Sequence, residues 1–392
     1  MCLTARRLVL SLLAVLVVTS PAIAQKKVKI GFITTLSGPE AGIGEHMKDS
    51  VELALDHLGR KMGGLDVELI YGDDQAKADV GKQRADEMLT KHRVHFVSGV
   101  FWSYVVLAVA PTVTQAGTFM IATNAGPSAL AGKMCHELFF STSWQNDQPH
   151  EATGKYMSDR GITGVYAMAP DGPGGRDAIA GFKRYYKGKI LREVYTKVGE
   201  RDYQAEIGQL RAAKPKAVYA FYPGDMGVHF LRQYDEAGLM EQIPVFTANS
   251  LDATSLLALK GTADGQWGTR AWSPDLKNDA NQRYVADFRK KYGKTPGSYG
   301  AHSYDGIRLI DSAVRAVNGD LSNKKGMIAA MRKADYPSTR GQYTYNVNHF
   351  PIQSFYLLKA VTGSRGELEM EVQRTVFERH KDAYYQGCPM RW

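Results

Sequence analysis

The chain has 392 residues, 44% hydrophobic and 10% aromatic content, and a formal charge of +9. That length exceeds what one hydrophobic core organises, and the composition is that of a globular protein, so two domains are expected and a disordered or fibrous chain is excluded. The positive charge is dispersed in short runs such as Lys183-Arg184 and Lys324-Lys325, with no basic stripe and interleaved aromatics, so nucleic acid is not an expected partner.

At the N-terminus, Arg6 and Arg7 precede an apolar run from Leu8 to Val18, then Pro21 and Ala22-Ile23-Ala24 lead into polar Gln25-Lys26-Lys27. Charge, apolar core and small-residue exit are the parts of a secretory signal peptide over residues 1–24, cleaved after Ala24. The apolar run is only about half of the ~20 residues that span a bilayer, which argues against an anchor. Cys2 lies before that run, where it cannot be lipidated at the cleavage junction. The expected mature chain is exported, and no later stretch is apolar enough to cross a membrane. It keeps two cysteines, Cys135 and Cys388. An even pair in an oxidising compartment favours one disulfide, tying the C-terminal tail to the first domain, over two free thiols.

After that segment, residues 28–34 read as a β-strand ending in the turn Leu36-Ser37-Gly38-Pro39. Val51, Ala54, Leu55 and Leu58 recur at i, i+3, i+4 and i+7, the face of an amphipathic helix, which Gly63-Gly64 is expected to stop. Strands at 67–71, 94–97 and 118–122 alternate with helices at 78–91 and 103–116. This alternation predicts a parallel sheet covered on both faces. The pattern repeats after Trp144, with strands at 165–169, 190–196, 217–221 and 244–247. Helices at 175–186, 203–213, 225–237 and 253–260 accompany them, with Gly188, Gly238 and Gly261 as C-cap glycines. From about Ser273 the chain turns helical (278–292, 304–317, 324–333) before strand-like runs at 342–345 and 354–358.

The expected fold class is therefore α/β: two doubly wound parallel-sheet lobes joined by crossover segments near 141–146, 269–275 and 346–351. The first lobe would comprise 25–143 and 273–346, the second 144–272 and 347–375, and a C-terminal tail 376–392. Ligands of such sheets bind outside the carboxyl ends of the strands. Two lobes can set those ends face to face across a cleft that closes on its contents.

Catalytic signatures are absent. The sequence holds no G-x-S-x-G elbow, no H-E-x-x-H and no Walker A motif. Between Gly126 and Gly132-Lys133 there is one residue too many for a phosphate loop, and Met134 stands where a hydroxyl would hold magnesium. Gly42-Ile43-Gly44 lacks the third glycine of a dinucleotide fingerprint, with Met47 in that place. His92 and His95 read as loop histidines and Asp73-Asp74 as turn caps, so no metal, cofactor or enzymatic activity is expected.

Four segments carry a resemblance: 28–45 (VKIGFITTLSGPEAGIGE), 63–74 (GGLDVELIYGDD), 97–111 (VSGVFWSYVVLAVAP) and 217–239 with its FYPGDMG core and QYDEAGL helix end. They resemble, in order and over nearly all of the mature chain, the branched-chain amino acid-binding family of periplasmic substrate-binding proteins. The resemblance implies a type I periplasmic binding protein fold with three hinge crossings. It also implies a periplasmic, monomeric receptor of an ABC importer that closes on a small molecule and docks on membrane permease subunits. In that family a Ser/Thr at the start of the helix after strand three binds the ligand carboxylate, a place that falls on Ser103. The helix N-terminus there adds backbone N–H groups and a positive dipole end. Asn124, Ala125 and Gly126 in the loop after strand four, Tyr222 and Asn249 from the second lobe, and Ile43 at the first helix complete the implied contacts. Trp102, Tyr104 and Trp144 join Phe101, Phe221 and Tyr222 as an aromatic rim.

Two departures from the family bear on the ligand. Amino-acid receptors hold the α-ammonium with a Thr in the strand-four loop and an acid from the second lobe. Here Gly126 stands at the first place and Ala248 or Asn249 at the second. An ammonium buried without a carboxylate costs several kcal/mol, whereas an amine-free acid incurs no such cost. The sequence is similar to the subset that takes up aromatic carboxylates such as benzoate or hydroxycinnamate-type acids. Two alternatives stay open: an amino-acid receptor in which Asp252 supplies the acid, and a ligand sensor or exported α/β enzyme.

Overall fold

The structure, a computed structural model, describes residues 27–363 and 366–391. The expected signal peptide lies outside the described residues.

The first lobe opens with β1 (Lys27–Thr34), whose VKIGFIT run is buried over its last five residues, as a central strand of a parallel sheet requires. Around it are β2 (Lys61–Met62), β3 (Leu65–Asp73), β4 (Phe96–Gly99), β5 (Phe119–Ala122) and β6 (Phe139–Ser141), in the spatial order β2-β3-β1-β4-β5-β6. All pairs are parallel except the β2–β3 hairpin. The connecting helices are α1 (Ala41–His57), α2 (Ala78–Glu87), α3 (Ser103–Gln115) and the short α4 (Ser128–Ala131).

The second lobe begins at α5 (Asp147–Asp159) and holds β7 (Val165–Pro170), α6 (Pro173–Tyr185), β8 (Ile190–Thr196), α7 (Gln204–Ala213), β9 (Ala217–Ala220), α8 (Asp225–Glu236), β10 (Val245–Ala248), α9 (Ala253–Leu259) and β11 (Trp267–Arg270). The chain then returns to the first lobe as α10 (Asp279–Tyr292), α11 (Ser298–Ala316) and α12 (Lys324–Lys333), with α10 and α11 packed on α1. It comes back through β12 (Thr344–Tyr345) to β13 (Pro351–Thr362) and β14 (Leu368–His380), which close the second sheet antiparallel. That sheet runs β12-β13-β11-β10-β9-β7-β8 with β14 on β13. The chain thus passes between lobes three times: after β6, after β11 and after β12.

α11 binds the returning helices into the first core. Ile307, Ile310 and Val314 lie on one stripe of it and are fully buried, each contributing about 1.5–3 kcal/mol by leaving water. Cys135 and Cys388 form a disulfide across 253 positions, with Cα atoms 5.7 Å apart. It ties the chain end beyond β14 to the segment between α4 and β6.

Several local expectations are revised. α1 ends at His57 and Gly59 turns the chain (φ 61), while Gly63-Gly64 forms the β2–β3 turn. Only Gly238 of the three expected cap glycines takes a left-handed conformation (φ 67), with its N–H on the Asp235 carbonyl. α6 instead runs into extended Tyr186, and Lys260 holds the left-handed position after α9. β14 continues pairing to His380, into the segment expected to be tail. α5 escapes periodicity because its buried face is polar. Asp147 accepts from Arg184 at 2.8 Å, and Glu151 bonds Arg184 and His380. Burial and the neighbouring Asp177 charge push the Asp147 carboxyl up to about 7.

Asp73 and Asp74 do cap the turn after β3, accepting from the N–H groups of Gln75 and Ala76 at 2.9 Å each. His95 accepts from the Lys29 N–H at 3.0 Å.

Candidate functional site

The site starts from two strand ends. After β4 the backbone takes φ 103 at Gly99 and φ 66 at Val100. A left-handed β-branched residue is strained, and such strain is concentrated at functional turns. The turn delivers Phe101 and Trp102 to the cleft and begins α3 at Ser103. Opposite, β7 ends at Pro170, and Gly172-Pro173 starts α6 with proline in its first turn, where a missing N–H costs nothing. Neither α3 nor α6 carries a side-chain cap. The first N–H groups of each have no intrahelical acceptor, and both positive dipole ends border the same space.

That space is an inter-lobe cavity of about 620 Å³, open solvent at its mouth included. Phe101, Trp102, Ser103, Tyr104, Asn124 and Ala125 wall it from the first lobe. Gly172, Pro173, Gly174, Phe221, Pro223 and Asn249 wall it from the second, and Trp144, Asn146, His150 and Tyr299 close the hinge side. None of its lining residues is Asp, Glu, Lys or Arg.

The aromatic walls are ordered by mutual packing. Trp102 stacks on Tyr104 (5.7 Å, 22°) and sets its edge against Phe101 (4.7 Å), which meets Tyr299 at 5.0 Å and 90°. Across the cleft, Phe221 packs on His150 at 4.7 Å. Burial pushes the His150 imidazole down to about 3, so it is neutral.

Ser103 Oγ accepts from Asn146 Nδ2 at 3.0 Å, leaving its hydroxyl hydrogen to point elsewhere. Asn146 Nδ2 also donates to Asp177 at 3.0 Å, and its Oδ1 accepts from the Gly126 N–H at 2.9 Å. Trp102 Nε1, Asn124 Oδ1 and Asn249 Oδ1 are buried without a partner.

Two carboxyl groups bridge the lobes. Asp177 of α6 accepts from the Ser128 N–H and hydroxyl at 2.9 and 2.8 Å, at the start of α4. Glu40, just before α1, accepts from the Asp225 N–H at the start of α8, at 3.2 and 3.3 Å. Burial and the nearby Asp225 charge push Glu40 up to about 7, against the lowering pull of the Asp225 N–H bond and of Arg201. Gly224 beside it has φ 65, and a Cβ there would lie 2.0 Å from Glu40 Oε2.

Of the residues the sequence singled out, the cavity brings together Ser103, Trp102, Tyr104, Asn124, Ala125, Trp144 and Asn249. Three lie elsewhere. Tyr222 is 1% exposed, its ring against Tyr203 and Phe230 and its hydroxyl on Thr196; the preceding residue, Phe221, lines the cleft instead. Successive residues leaving a strand point to opposite sides, so an error of one position exchanges cleft for core. Ile43 is buried in the first-lobe core. Gly126 sits behind the wall, where a Cβ would fall 2.0 Å from the Trp144 carbonyl oxygen. An ammonium-binding Thr cannot occupy that position without moving the hinge backbone.

Asp252 does not face this cavity. It caps α9, accepts from the Ser298 N–H at 3.0 Å and pairs with Arg270 at 3.3 Å, away from the cleft residues. Asn146, His150, Tyr299 and the 172–175 turn were missed by sequence reasoning. The Gly-Pro-Gly-Gly run after a strand was a readable helix start. The other three belong to α5, its approach and α11, which only the tertiary fold brings to the cleft.

A family model described as periplasmic binding protein matches residues 27–366. The Leu/Ile/Val-binding protein homolog 6 of Brucella suis is 26% identical over 391 residues, covering 96% of this chain and 98% of its own. A solute-binding protein of an R. palustris ABC transporter, solved in complex with benzoate, superposes with TM-score 0.88 at 26% identity, over 93% of this chain and 100% of that one. A Rhodopseudomonas palustris BisB5 solute-binding protein, solved with 3,4-dihydroxybenzoic acid, gives TM-score 0.85 at 27% identity, over 91% and 99%.

Proposed function

Because the chain belongs to the periplasmic binding protein family, we propose that it is the monomeric substrate-binding receptor of an ABC importer, carrying a small amine-free aromatic carboxylate in its inter-lobe cleft. The signal peptide at 1–24 would export it to the periplasm, where the closed, loaded form docks on membrane permease subunits. No helix of the described residues is long and apolar enough to cross a membrane.

One observation carries the ligand class: two uncapped helix N-termini meet in a cavity lined by no acidic side chain. Helix N-termini with the Ser103 hydroxyl favour an anion. A buried ammonium would find aromatic rings and neutral amides but no countercharge, at a cost of several kcal/mol. Trp102, Tyr104 and Phe221 supply flat apolar walls for a ring. Benzoate and 3,4-dihydroxybenzoate in the two similar Rhodopseudomonas proteins support the same class. Closure would follow from the bridges at Glu40 and Asp177, which form only when the lobes meet.

The competing ligand is a branched-chain amino acid, suggested by the names of the Brucella relatives. A thermal-shift panel separates the two. A ligand at 100 times its Kd adds about 2.7 kcal/mol of stability. Benzoate, 4-hydroxybenzoate or cinnamate is expected to raise the melting temperature. Stabilisation by leucine, valine or phenylalanine alone would defeat the proposal.

A further inference from the structure

We propose that Asn146 and Asp177 are positioning residues of the anion site, holding the Ser103 hydroxyl as a donor towards the ligand carboxylate; this rests on the aromatic-carboxylate function above. Ser103 lines the cavity at the start of α3, and Asn146 lines it from the residue before α5. A serine hydroxyl has one hydrogen and two lone pairs. Left to itself it turns among staggered positions, donating in some and only accepting in others. Asn146 Nδ2 donates to Ser103 Oγ at 3.0 Å and so takes one lone pair. The hydroxyl hydrogen is thereby turned away from Asn146, and an oxygen that accepts one hydrogen bond donates a stronger one.

The other bonds of the amide fix which of its ends meets Ser103. Asn146 Oδ1 accepts from the Gly126 N–H at 2.9 Å, and Nδ2 gives its second hydrogen to Asp177 Oδ2 at 3.0 Å. Reversed, the amide would set its oxygen against the Asp177 carboxylate and its NH2 against the Gly126 N–H, acceptor on acceptor and donor on donor. Asp177 is held in turn by the Ser128 N–H and hydroxyl at 2.9 and 2.8 Å. Asn146 and Asp177 are only 7% and 8% exposed, so water has little access to take the place of these partners. The bonds run from α4 of the first lobe, through α6 of the second and the crossing, back to α3 of the first. Gly174 of α6 comes so near that a Cβ there would lie 3.1 Å from Ser103 Oγ, so the donor is presented where the two helix N-termini meet. The charge of Asp177 by itself opposes an anion in the cleft. Its benefit to binding lies in the orientation it imposes.

The test is isothermal titration of the full mature protein with benzoate and 4-hydroxybenzoate, run as a double-mutant cycle. Asn146→Ala should weaken binding about fivefold by releasing a charge-assisted donor from its orientation, yet change it less than about twofold where Ser103 is already Ala. Equal losses in the two backgrounds, or none in either, would overturn the positioning role, because a residue that only supports the hinge has no need of the Ser103 hydroxyl. Asp177→Ala should weaken binding about threefold, although removing a negative charge near an anion by itself tightens it. Asp177→Asn keeps an oxygen for the Asn146 amide and should restore the wild-type affinity or exceed it. Unchanged or tighter binding by Asp177→Ala would overturn the role of Asp177. Thermal melts identify any variant that fails to fold, and the two Asp177 variants carry the test should Asn146→Ala do so. Unweakened binding by Ser103→Ala would overturn this inference while leaving an aromatic carboxylate as the ligand. Binding of leucine or phenylalanine by the wild type, with no response to either benzoate, would overturn the underlying function as well.

Discussion

Replacing Glu40 by Gln should raise the thermal stability at pH 8 far more than at pH 5. Glu40 crosses from the first lobe to the N-terminus of α8, and its carboxyl is pushed from 4.5 up to about 7, chiefly by burial. Because the folded value is raised, its contribution to stability is present below the unfolded value and is lost as pH rises through 7. The displacement is about 2.5 pKa units at about 1.4 kcal/mol each, so ionised Glu40 costs about 3 kcal/mol at pH 8 as an upper bound. At pH 5 the same sum gives under about 1 kcal/mol. Gln keeps the acceptor oxygen for the Asp225 N–H but never ionises. Differential scanning calorimetry at both pH values, with and without the substitution, isolates this one group from the buried histidines, which titrate in the opposite sense. A gain of a few degrees at pH 8 that shrinks at pH 5 is expected. Equal changes at the two pH values, zero included, would refute a buried ionised Glu40 across the cleft.

Three other perturbations probe the site and the scaffold. Ser103→Ala should weaken binding of an aromatic carboxylate about tenfold by removing one charge-assisted hydrogen bond, without lowering the ligand-free melting temperature; unchanged affinity by titration calorimetry would displace the anion site from α3. Asn249→Asp places an acid of nearly equal shape in the cavity, so carboxylate affinity should fall a hundredfold or more while phenylalanine binding appears. No change in either would mean that position 249 does not face the ligand. The mature protein, without Cys2, should show no free thiol before reduction, and a Cys135→Ser/Cys388→Ser variant should lose about 2–5 kcal/mol, measured by denaturant unfolding, because the bond closes a loop of 253 positions.

The alternating β and α periods placed most strands and helices of both sheets within a few residues, because parallel strands buried on both faces leave uninterrupted apolar runs. Strand β6 (three residues), strand β11 (four) and helix α5 were not legible. The two strands are too short to show a period, and α5 hides its inward face behind Asp147, Glu151 and His150, which read as surface until Arg184, His380 and Tyr219 are seen beside them. Of the two aromatics expected on the rim there, Phe221 lines the cleft and Tyr222 turns into the core, since a strand end alternates sides with every residue.

What the sequence alone determined was the two-lobe α/β class, a helix starting near Ser103, and the lack of an acid at positions 248 and 249. These are local properties, carried by residue type and spacing. The tertiary structure decided which side chains share the cleft. It turned Asp252 towards Arg270, brought His150 and Tyr299 from helices far along the chain, and let Gly174 of one lobe come up against Ser103 of the other. Such contacts depend on how two separate sheets meet across a hinge, a distance relation that no single stretch of residues encodes.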